Sequence, residues 1–139
     1  MLDTNVIVSG LLQSKGNPAQ ILAVALSGTV QVCHNELILA EYAEVLARPR
    51  FKFDGRRVRD VLEKLKVDGM AVDASRITNL ELPDSDDEPF LAVALASSAD
   101  FLVTGNIADY PQEKRRGCVV FTPAEFMQHW KQLQSKEPQ

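Results

Sequence analysis

Short apolar runs alternate along this chain with longer segments in which apolar residues recur every three or four positions. The short runs predict buried strands, and the periodic segments predict helices with one apolar face. The predicted strands are the residues that precede Asp3 and the runs 30–33, 70–72, 101–104 and 118–121. The predicted helices are a short segment after Asp3 and the segments 18–26, 36–47, 55–68, 86–98 and 123–134.

Residues that favour helix ends mark most of these boundaries. The predicted N-terminal caps are Asn17 before Pro18, Asn35, Asp54, Ser85 with Glu88, and Thr122 with Glu125. Gly28, Gly69 and the Arg48-Pro49 pair predict three helix ends. Strands separated by helices pair in parallel and carry helices on both faces of their sheet. We therefore expect an α/β fold, a three-layer α/β/α sandwich with a central, mostly parallel sheet.

The bulk composition is that of an ordinary soluble globular protein. The 139 residues suit one domain, which we expect to span 1–134 before a polar tail at 135–139. No apolar run approaches the roughly 20 residues of a membrane span, and the N-terminus lacks the pattern of a secretion signal. Cys33 and Cys118 lie in apolar runs, so we expect free thiols in a reducing cytoplasm.

Positive charge is concentrated in one segment, although the net charge of −4 counts against a general nucleic-acid binder. Residues 44–66 contain eight Lys or Arg and four Asp or Glu. The candidates for binding nucleic-acid phosphates are Arg48, Arg50, Lys52, Arg56, Arg57 and Arg59. A second, smaller cluster is Lys114, Arg115 and Arg116. Two interpretations are equally open: a solvated helix face, or a phosphate-binding rim beside an acidic pocket.

Four acidic residues are predicted at inward-facing positions that offer no Lys, Arg or His to pair with: Asp3, Glu41, Asp87 and Asp109. Buried carboxylates are rare unless they are paired or hold a metal. Four anions drawn together would repel one another or take up protons, and a divalent metal removes that difficulty. Such an all-oxygen site suits Mg²⁺ or Mn²⁺, and phosphodiester hydrolysis is a chemistry that it commonly performs.

Each acidic position also has an ordinary structural explanation. Glu41 lies between Leu37 and Val45 in the apolar stripe of its helix, yet it could be a rim carboxylate bonded to the backbone. Asp87 lies on the apolar face of its helix, yet acids are common in first turns. The acids that follow strands could be turn residues or caps. Their joint placement is more specific, because all four map to the carboxyl edge of the sheet or to a helix face opposite it.

Four segments of the chain resemble, in order, the motifs of PIN domains. They are 2–6, 40–46, 84–91 and 102–106, and the resemblance runs from residue 3 to about residue 126. One departure is at the start, where only Met1 and Leu2 precede Asp3. The family has several apolar residues there, which form its central strand.

The resemblance implies a role for each acidic position. Asp3, Glu41 and Asp87 match the metal-binding acids, with Thr4 and Asn5 supporting the loop of Asp3.

The family's fourth acidic position is Asn106 here, which offers a carbonyl oxygen but no charge. Asp109 would replace it or position the attacking water, and Asp84 could reach the metal from its loop.

The resemblance is greatest to bacterial PIN proteins of toxin–antitoxin pairs, whose VapC-type relatives are metal-dependent ribonucleases. We therefore expect an Mg²⁺- or Mn²⁺-dependent endoribonuclease that acts as a toxin. The resemblance also implies an antitoxin protein as partner and a homodimer.

Two other functions remain open. A PIN-like module that binds RNA or protein without cleaving is favoured by Asn106. A phosphoacceptor signalling domain has a similar α/β build, but its paired early acid and its lysine after a late strand are missing. Zinc chemistry is disfavoured because His34 and His129 lack ligand spacing.

Overall fold

The computed structural model describes residues 1–135, which form six α-helices and four two-residue strands. The helices are α1 (Thr4–Leu12), α2 (Asn17–Leu26), α3 (Glu36–Leu46), α4 (Gly55–Asp68), α5 (Glu88–Ala96) and α6 (Pro123–Ser135). The strands are β1 (Cys33–His34), β2 (Met70–Ala71), β3 (Leu102–Val103) and β4 (Val120–Phe121). Short 3₁₀ turns cover Pro49–Phe51, Ser85–Asp87, Ile107–Asp109 and Gln112–Lys114. Of the predicted polar tail, Ser135 ends α6 and residues 136–139 lie outside the described part.

Every strand pairing in the described chain is parallel, which confirms the predicted α/β class. β1 pairs with β2, and β3 pairs with β4. A single parallel bridge places Leu2 beside Val103. Helix α5 packs against both β1 and β3, so it spans the two strand pairs. Helix α2 packs against α1, α4 and α6, and α3 packs against α1, α4 and α5.

The first residues of the chain lie along β3. The N-terminal ammonium of Met1 donates to the Phe101 carbonyl at 2.9 Å, and the Asp3 amide donates to the Val103 carbonyl at 2.9 Å. Met1 and Leu2 are buried, next to a largely apolar cavity of about 410 Å³. This alignment brings Asp3 to the carboxyl end of the strand, level with Thr104.

Most predicted helix caps form. Asn35 accepts a hydrogen bond from the Ile38 amide at 2.9 Å, and Asp54 accepts one from the Arg56 amide at 2.9 Å. The capping box of α6 is present as well: Thr122 N donates to Glu125 Oε1 at 2.9 Å, and Glu125 N donates to Thr122 Oγ1 at 3.2 Å. These local hydrogen bonds satisfy helix amides that have no partner within the helix.

Several predicted boundaries differ from the structure, which has shorter strands and a shorter α5, and three of the differences have a local explanation. Gly16, with φ of 112°, precedes α2 in place of Asn17, because that φ is one that glycine adopts at little cost. The strand predicted at 30–33 comprises Cys33 and His34 instead: Val32 is buried and its carbonyl accepts from the Met70 amide at 3.1 Å, but Gln31 before it is exposed. The Ser85–Glu88 capping box is replaced by Asp84, whose Oδ1 accepts from the Asp86 amide at 2.9 Å and starts a 3₁₀ turn.

Both cysteines are free, as predicted, although Cys118 is only half-buried and precedes β4. None of the helices in residues 1–135 has the length and apolar character that crossing a membrane requires.

A candidate metal-binding carboxylate site

Asp3 is the buried centre of the acidic group, with 5% of its surface exposed. Its Oδ1 accepts from the Thr4 amide at 2.8 Å. Its Oδ2 accepts from the Thr104 hydroxyl at 2.9 Å and from the Tyr110 hydroxyl at 3.0 Å. Burial raises the pKa of Asp3, these hydrogen bonds lower it, and the charge of Asp109 raises it further. One lone-pair position on Oδ1 stays open to another partner.

Glu41 reaches the site through Thr4, whose hydroxyl donates to Glu41 Oε2. The buried face of α3 is Ile38, Tyr42 and Leu46, so the predicted stripe through Leu37 is wrong: Leu37 is 68% exposed. The stripe is displaced because Tyr42 turns inward and donates to the Leu2 carbonyl. Glu41 consequently sits at the edge of the buried face, half-exposed.

The environment of Glu41 resists a negative charge. Partial burial raises its pKa, the hydrogen bond from Thr4 lowers it, and the charges of Asp3, Asp86 and Glu44 raise it. Glu44 is exposed and pairs with Arg48 at 3.0 Å.

Asp87 is the least satisfied of the acids. It ends the 3₁₀ turn before α5, and Phe90, Leu91 and Ala94 on the predicted shared face are all buried. Asp87 Oδ2 is buried and has no hydrogen-bond partner among residues 1–135. Partial burial, followed by the charges of Asp3, Asp109, Asp84 and Glu41, raises the pKa of Asp87 to about 7.

The turn after β3 supplies the last predicted residues. Asn106 is exposed, and its Nδ2 donates to Asp109 Oδ2 at 2.9 Å. Asp109 is half-buried, and its charge raises the pKa values of Asp3 and Asp87. Asp84 is exposed at the start of its turn and acts on Asp87 through its charge. Asp109 is therefore more buried than Asn106. Unlike Asn106, it carries a charge that acts on Asp3 and Asp87.

Thr4 and Asn5, which the resemblance assigned to the loop of Asp3, connect that loop to other segments. The Gly105 amide donates to Asn5 Oδ1 at 2.8 Å, which ties α1 to the turn after β3. A Cβ at Gly105 would lie 3.2 Å from the same Asn5 oxygen, so this close contact favours glycine.

Two residues that contact Asp3, Thr104 and Tyr110, had no assigned role in the sequence. Both are fully buried. The Thr104 hydroxyl accepts from the Asn106 amide at 3.1 Å and from Asn5 Nδ2 at 3.5 Å, so its own proton is directed to Asp3. The sequence signals for Thr104 are its place at the end of the predicted strand 101–104 and in the PIN-like segment 102–106, and Tyr110 gives none.

The donor set fits a hard divalent cation. Asp87 has a buried oxygen without a partner, Asp3 has an open lone-pair position, and the acids raise one another's pKa. All are oxygen donors, which Mg²⁺ and Mn²⁺ prefer. As the side chains stand, however, no three Asp, Glu, His or Cys groups within 1–135 already surround a common point at ligand distance. The acids share a region but would have to close around an ion.

The predicted phosphate-binding residues lie apart from the acids, around the turn Pro49–Phe51 and the start of α4. Arg48 pairs with Glu44 at 3.0 Å, and the Arg50 guanidinium lies over the Phe51 ring at 4.8 Å. Lys52 and Arg57 line a shallow hollow with Leu11, near the end of α1 opposite to Asp3. At about 1.5 Å per residue, α1 is about 13 Å long, so the hollow lined by Lys52 and Arg57 is about one length of α1 from Asp3.

The second basic cluster serves the structure. Lys114 pairs with Glu81 at 3.3 Å, and Arg116 donates to the carbonyls of Thr78 and Asn79. Arg115 Nε donates to the Tyr110 carbonyl at 2.7 Å. The side chains of this cluster hold the neighbouring loops and Tyr110 in place.

Comparison with known families gives one match. A family model described as PIN domain matches residues 1–108, which include every acidic residue above except Asp109. No significant match to a curated protein or to a solved structure was found.

Proposed function

The chain belongs to the PIN domain family, whose members are generally nucleases, and we propose that it is a metal-dependent endoribonuclease that hydrolyses RNA phosphodiester bonds. The observation that carries this proposal is the buried Oδ2 of Asp87, which has no hydrogen-bond partner within residues 1–135 and lies amid the charges of Asp3, Asp109 and Glu41. An uncompensated cluster of this kind is costly unless a cation neutralises it.

The acids have distinct roles in this proposal. Asp3, Glu41 and Asp87 hold the cation, and Asp109 orients the attacking water. A bound Mg²⁺ or Mn²⁺ supplies a positive charge that lowers the pKa of water and offsets the charge of the phosphate. The hydrogen bond from Thr4 keeps Glu41 turned toward Asp3.

Water is the proposed nucleophile because the histidines are engaged elsewhere. His34 Nε2 contacts the Lys66 carbonyl at 3.0 Å, and the His129 ring packs against Phe101 and Phe121. Within residues 1–135 neither ring hydrogen-bonds to a Ser or Cys side chain, as a base for covalent catalysis would.

RNA would run from the acids along α1 to the basic surface. Arg56, Arg57 and Arg59 are exposed there, and no pairing with an acidic side chain occupies them within residues 1–135. The stacked rings of Phe51 and Phe53, with centroids 5.5 Å apart, lie in the same segment. Phosphate contacts of this kind bind without regard to sequence.

The cellular role that we propose is that of a toxin in the cytoplasm, held inactive by an antitoxin protein and working as a homodimer. This part rests on the resemblance of segments 2–6, 40–46, 84–91 and 102–106 to PIN proteins of toxin–antitoxin pairs. The second candidate function is a PIN-like module that binds RNA or protein without cleaving it. Asn106 at the fourth acidic position and the open spacing of the acids favour that candidate.

Cleavage by the Asp3→Asn variant tests the nuclease. Purified protein is incubated with single-stranded RNA and Mn²⁺, and products are followed with time. We expect wild-type cleavage that EDTA stops, and a loss of at least about 100-fold in Asp3→Asn, since the cation loses a charged ligand. Asp73→Asn is the control, because Asp73 is an exposed acid bonded to Ser75. Equal cleavage by wild type and Asp3→Asn would refute the proposed nuclease activity. RNA binding by the wild type without any cleavage would support the second candidate function.

A further inference from the structure

Hydrogen bonds of its backbone amide and carbonyl hold Tyr110 in place beside the buried carboxylate of Asp3. Its amide closes the turn Ile107–Asp109 by donating to the Ile107 carbonyl at 3.1 Å. Its carbonyl accepts from Arg115 at 2.7 Å. The side chain is fully buried, and its hydroxyl donates to Asp3 Oδ2 at 3.0 Å. The phenol therefore has little freedom to turn away from the carboxylate.

The two oxygens of Asp3 are used differently. Oδ2 receives two hydroxyl donors, from Thr104 and Tyr110, which fill both of its lone-pair directions. Oδ1 receives one donor, the Thr4 amide, and keeps one direction open. The hydroxyls thus fix the rotation of the carboxylate and leave Oδ1 as the oxygen with capacity for a further ligand.

From this arrangement we propose that Tyr110 is a positioning residue: its hydroxyl orients Asp3 so that Oδ1 binds the divalent cation. The inference rests on the proposed metal site. It predicts that removing one phenolic oxygen, with the ring left in place, weakens metal binding. Partners that orient a metal ligand typically contribute about 10–100-fold to affinity.

The chain offers a matched control in Tyr42. This tyrosine is also fully buried, and its hydroxyl donates to the Leu2 carbonyl, in the residue just before Asp3. Tyr42→Phe and Tyr110→Phe each delete one buried hydroxyl that serves as a donor. They differ in the acceptor, which is a backbone carbonyl for Tyr42 and the Asp3 carboxylate for Tyr110.

Isothermal titration calorimetry with Mn²⁺ on the full chain, without RNA, tests the inference. We expect the Mn²⁺ Kd of Tyr110→Phe to rise at least about 10-fold at unchanged stoichiometry, and that of Tyr42→Phe to stay at the wild-type value. An irreversibly misfolded fraction would instead lower the stoichiometry. Reversible unfolding would raise the apparent Kd, so thermal melts of both Phe variants must show that each is folded at the titration temperature. Thr104→Val, which removes the other donor to Oδ2, should also raise Kd.

Each other outcome has a definite meaning. A wild-type Kd in Tyr110→Phe, or an equal rise in both Phe variants, overturns the role of Tyr110 and leaves the nuclease proposal standing. Absence of Mn²⁺ binding by the wild type overturns both. In the cleavage assay, the positioning role predicts that saturating Mn²⁺ restores most of the kcat of Tyr110→Phe.

Discussion

The Thr4 hydroxyl donates to the Glu41 carboxylate and so joins the first residue of α1 to the middle of α3. The neighbouring Asp3 precedes Thr4 and caps α1 through the Thr4 amide. Thr4 thereby donates hydrogen bonds to two of the proposed metal ligands: its backbone amide donates to Asp3, and its hydroxyl donates to Glu41.

Thr4→Val should therefore weaken metal binding without disturbing the cap. Valine keeps the shape of the side chain and the amide but loses the hydroxyl, so Glu41 is freed to turn into solvent. We expect the Mn²⁺ concentration for half-maximal cleavage to rise about 10-fold. Thr29→Val, at an exposed threonine remote from the acids, is the control. If the two variants need the same Mn²⁺ concentration, Thr4 has no role in holding Glu41.

The raised pKa of Asp87 predicts how stability depends on pH. Its pKa is about 7 in the folded protein against 3.8 in the unfolded chain, so the folded state binds the proton more tightly. The associated stability is present below about pH 4 and is lost as pH rises through 7. In EDTA, Asp87→Asn should escape this loss. Because Asp87 is partly exposed, solvent screening leaves a gain on the order of 1 kcal/mol at pH 8.

Thermal melts of wild type and Asp87→Asn at pH 4 and pH 8 measure this difference. The two melting temperatures should be similar at pH 4, and the variant should melt higher at pH 8. Adding Mn²⁺ at pH 8 should stabilise the wild type and leave the variant unchanged. A constant difference between the two proteins at all pH values would contradict a raised pKa of Asp87.

The basic surface predicts how RNA binding responds to salt. Replacing Arg56, Arg57 and Arg59 by Gln should weaken binding and lower the slope of log K against log salt by about 0.7 for each phosphate that is no longer neutralised. The control removes the same charge from exposed residues elsewhere: Lys15, Arg76 and Lys131. If both triple variants reduce the slope equally, the effect is one of net charge and the segment is an ordinary solvated face.

Local sequence patterns predicted much of the fold. Helix caps such as Asn35 and Thr122 act on amides three residues away, so they are visible in the sequence. Apolar periodicity placed the helices, and strand–helix alternation gave the parallel pairing. The predictions that were wrong concern residues whose placement depends on tertiary contacts. Tyr42 turns toward the Leu2 carbonyl, and the buried stripe of α3 therefore does not include Leu37.

The candidate site divides in the same way. The acids could be identified because a carboxylate on an inward face conflicts with its surroundings. Tyr110 could not, because it lies 107 residues from Asp3 and nothing local marks its hydroxyl as a partner of that carboxylate. The structural role of the small 114–116 cluster was hidden for the same reason, since the loop carbonyls that engage Arg116 are 37 and 38 residues distant.

The central claim is that Asp3, Glu41 and Asp87 share one divalent cation. Its most direct test is a crystal structure of the protein soaked in Mn²⁺, with anomalous diffraction used to locate the metal. We predict one anomalous peak bounded by carboxylate oxygens of these three residues, at about the 2.1 Å typical of small divalent ions. An anomalous map without a peak there, from crystals that bind Mn²⁺ elsewhere or not at all, would contradict the account.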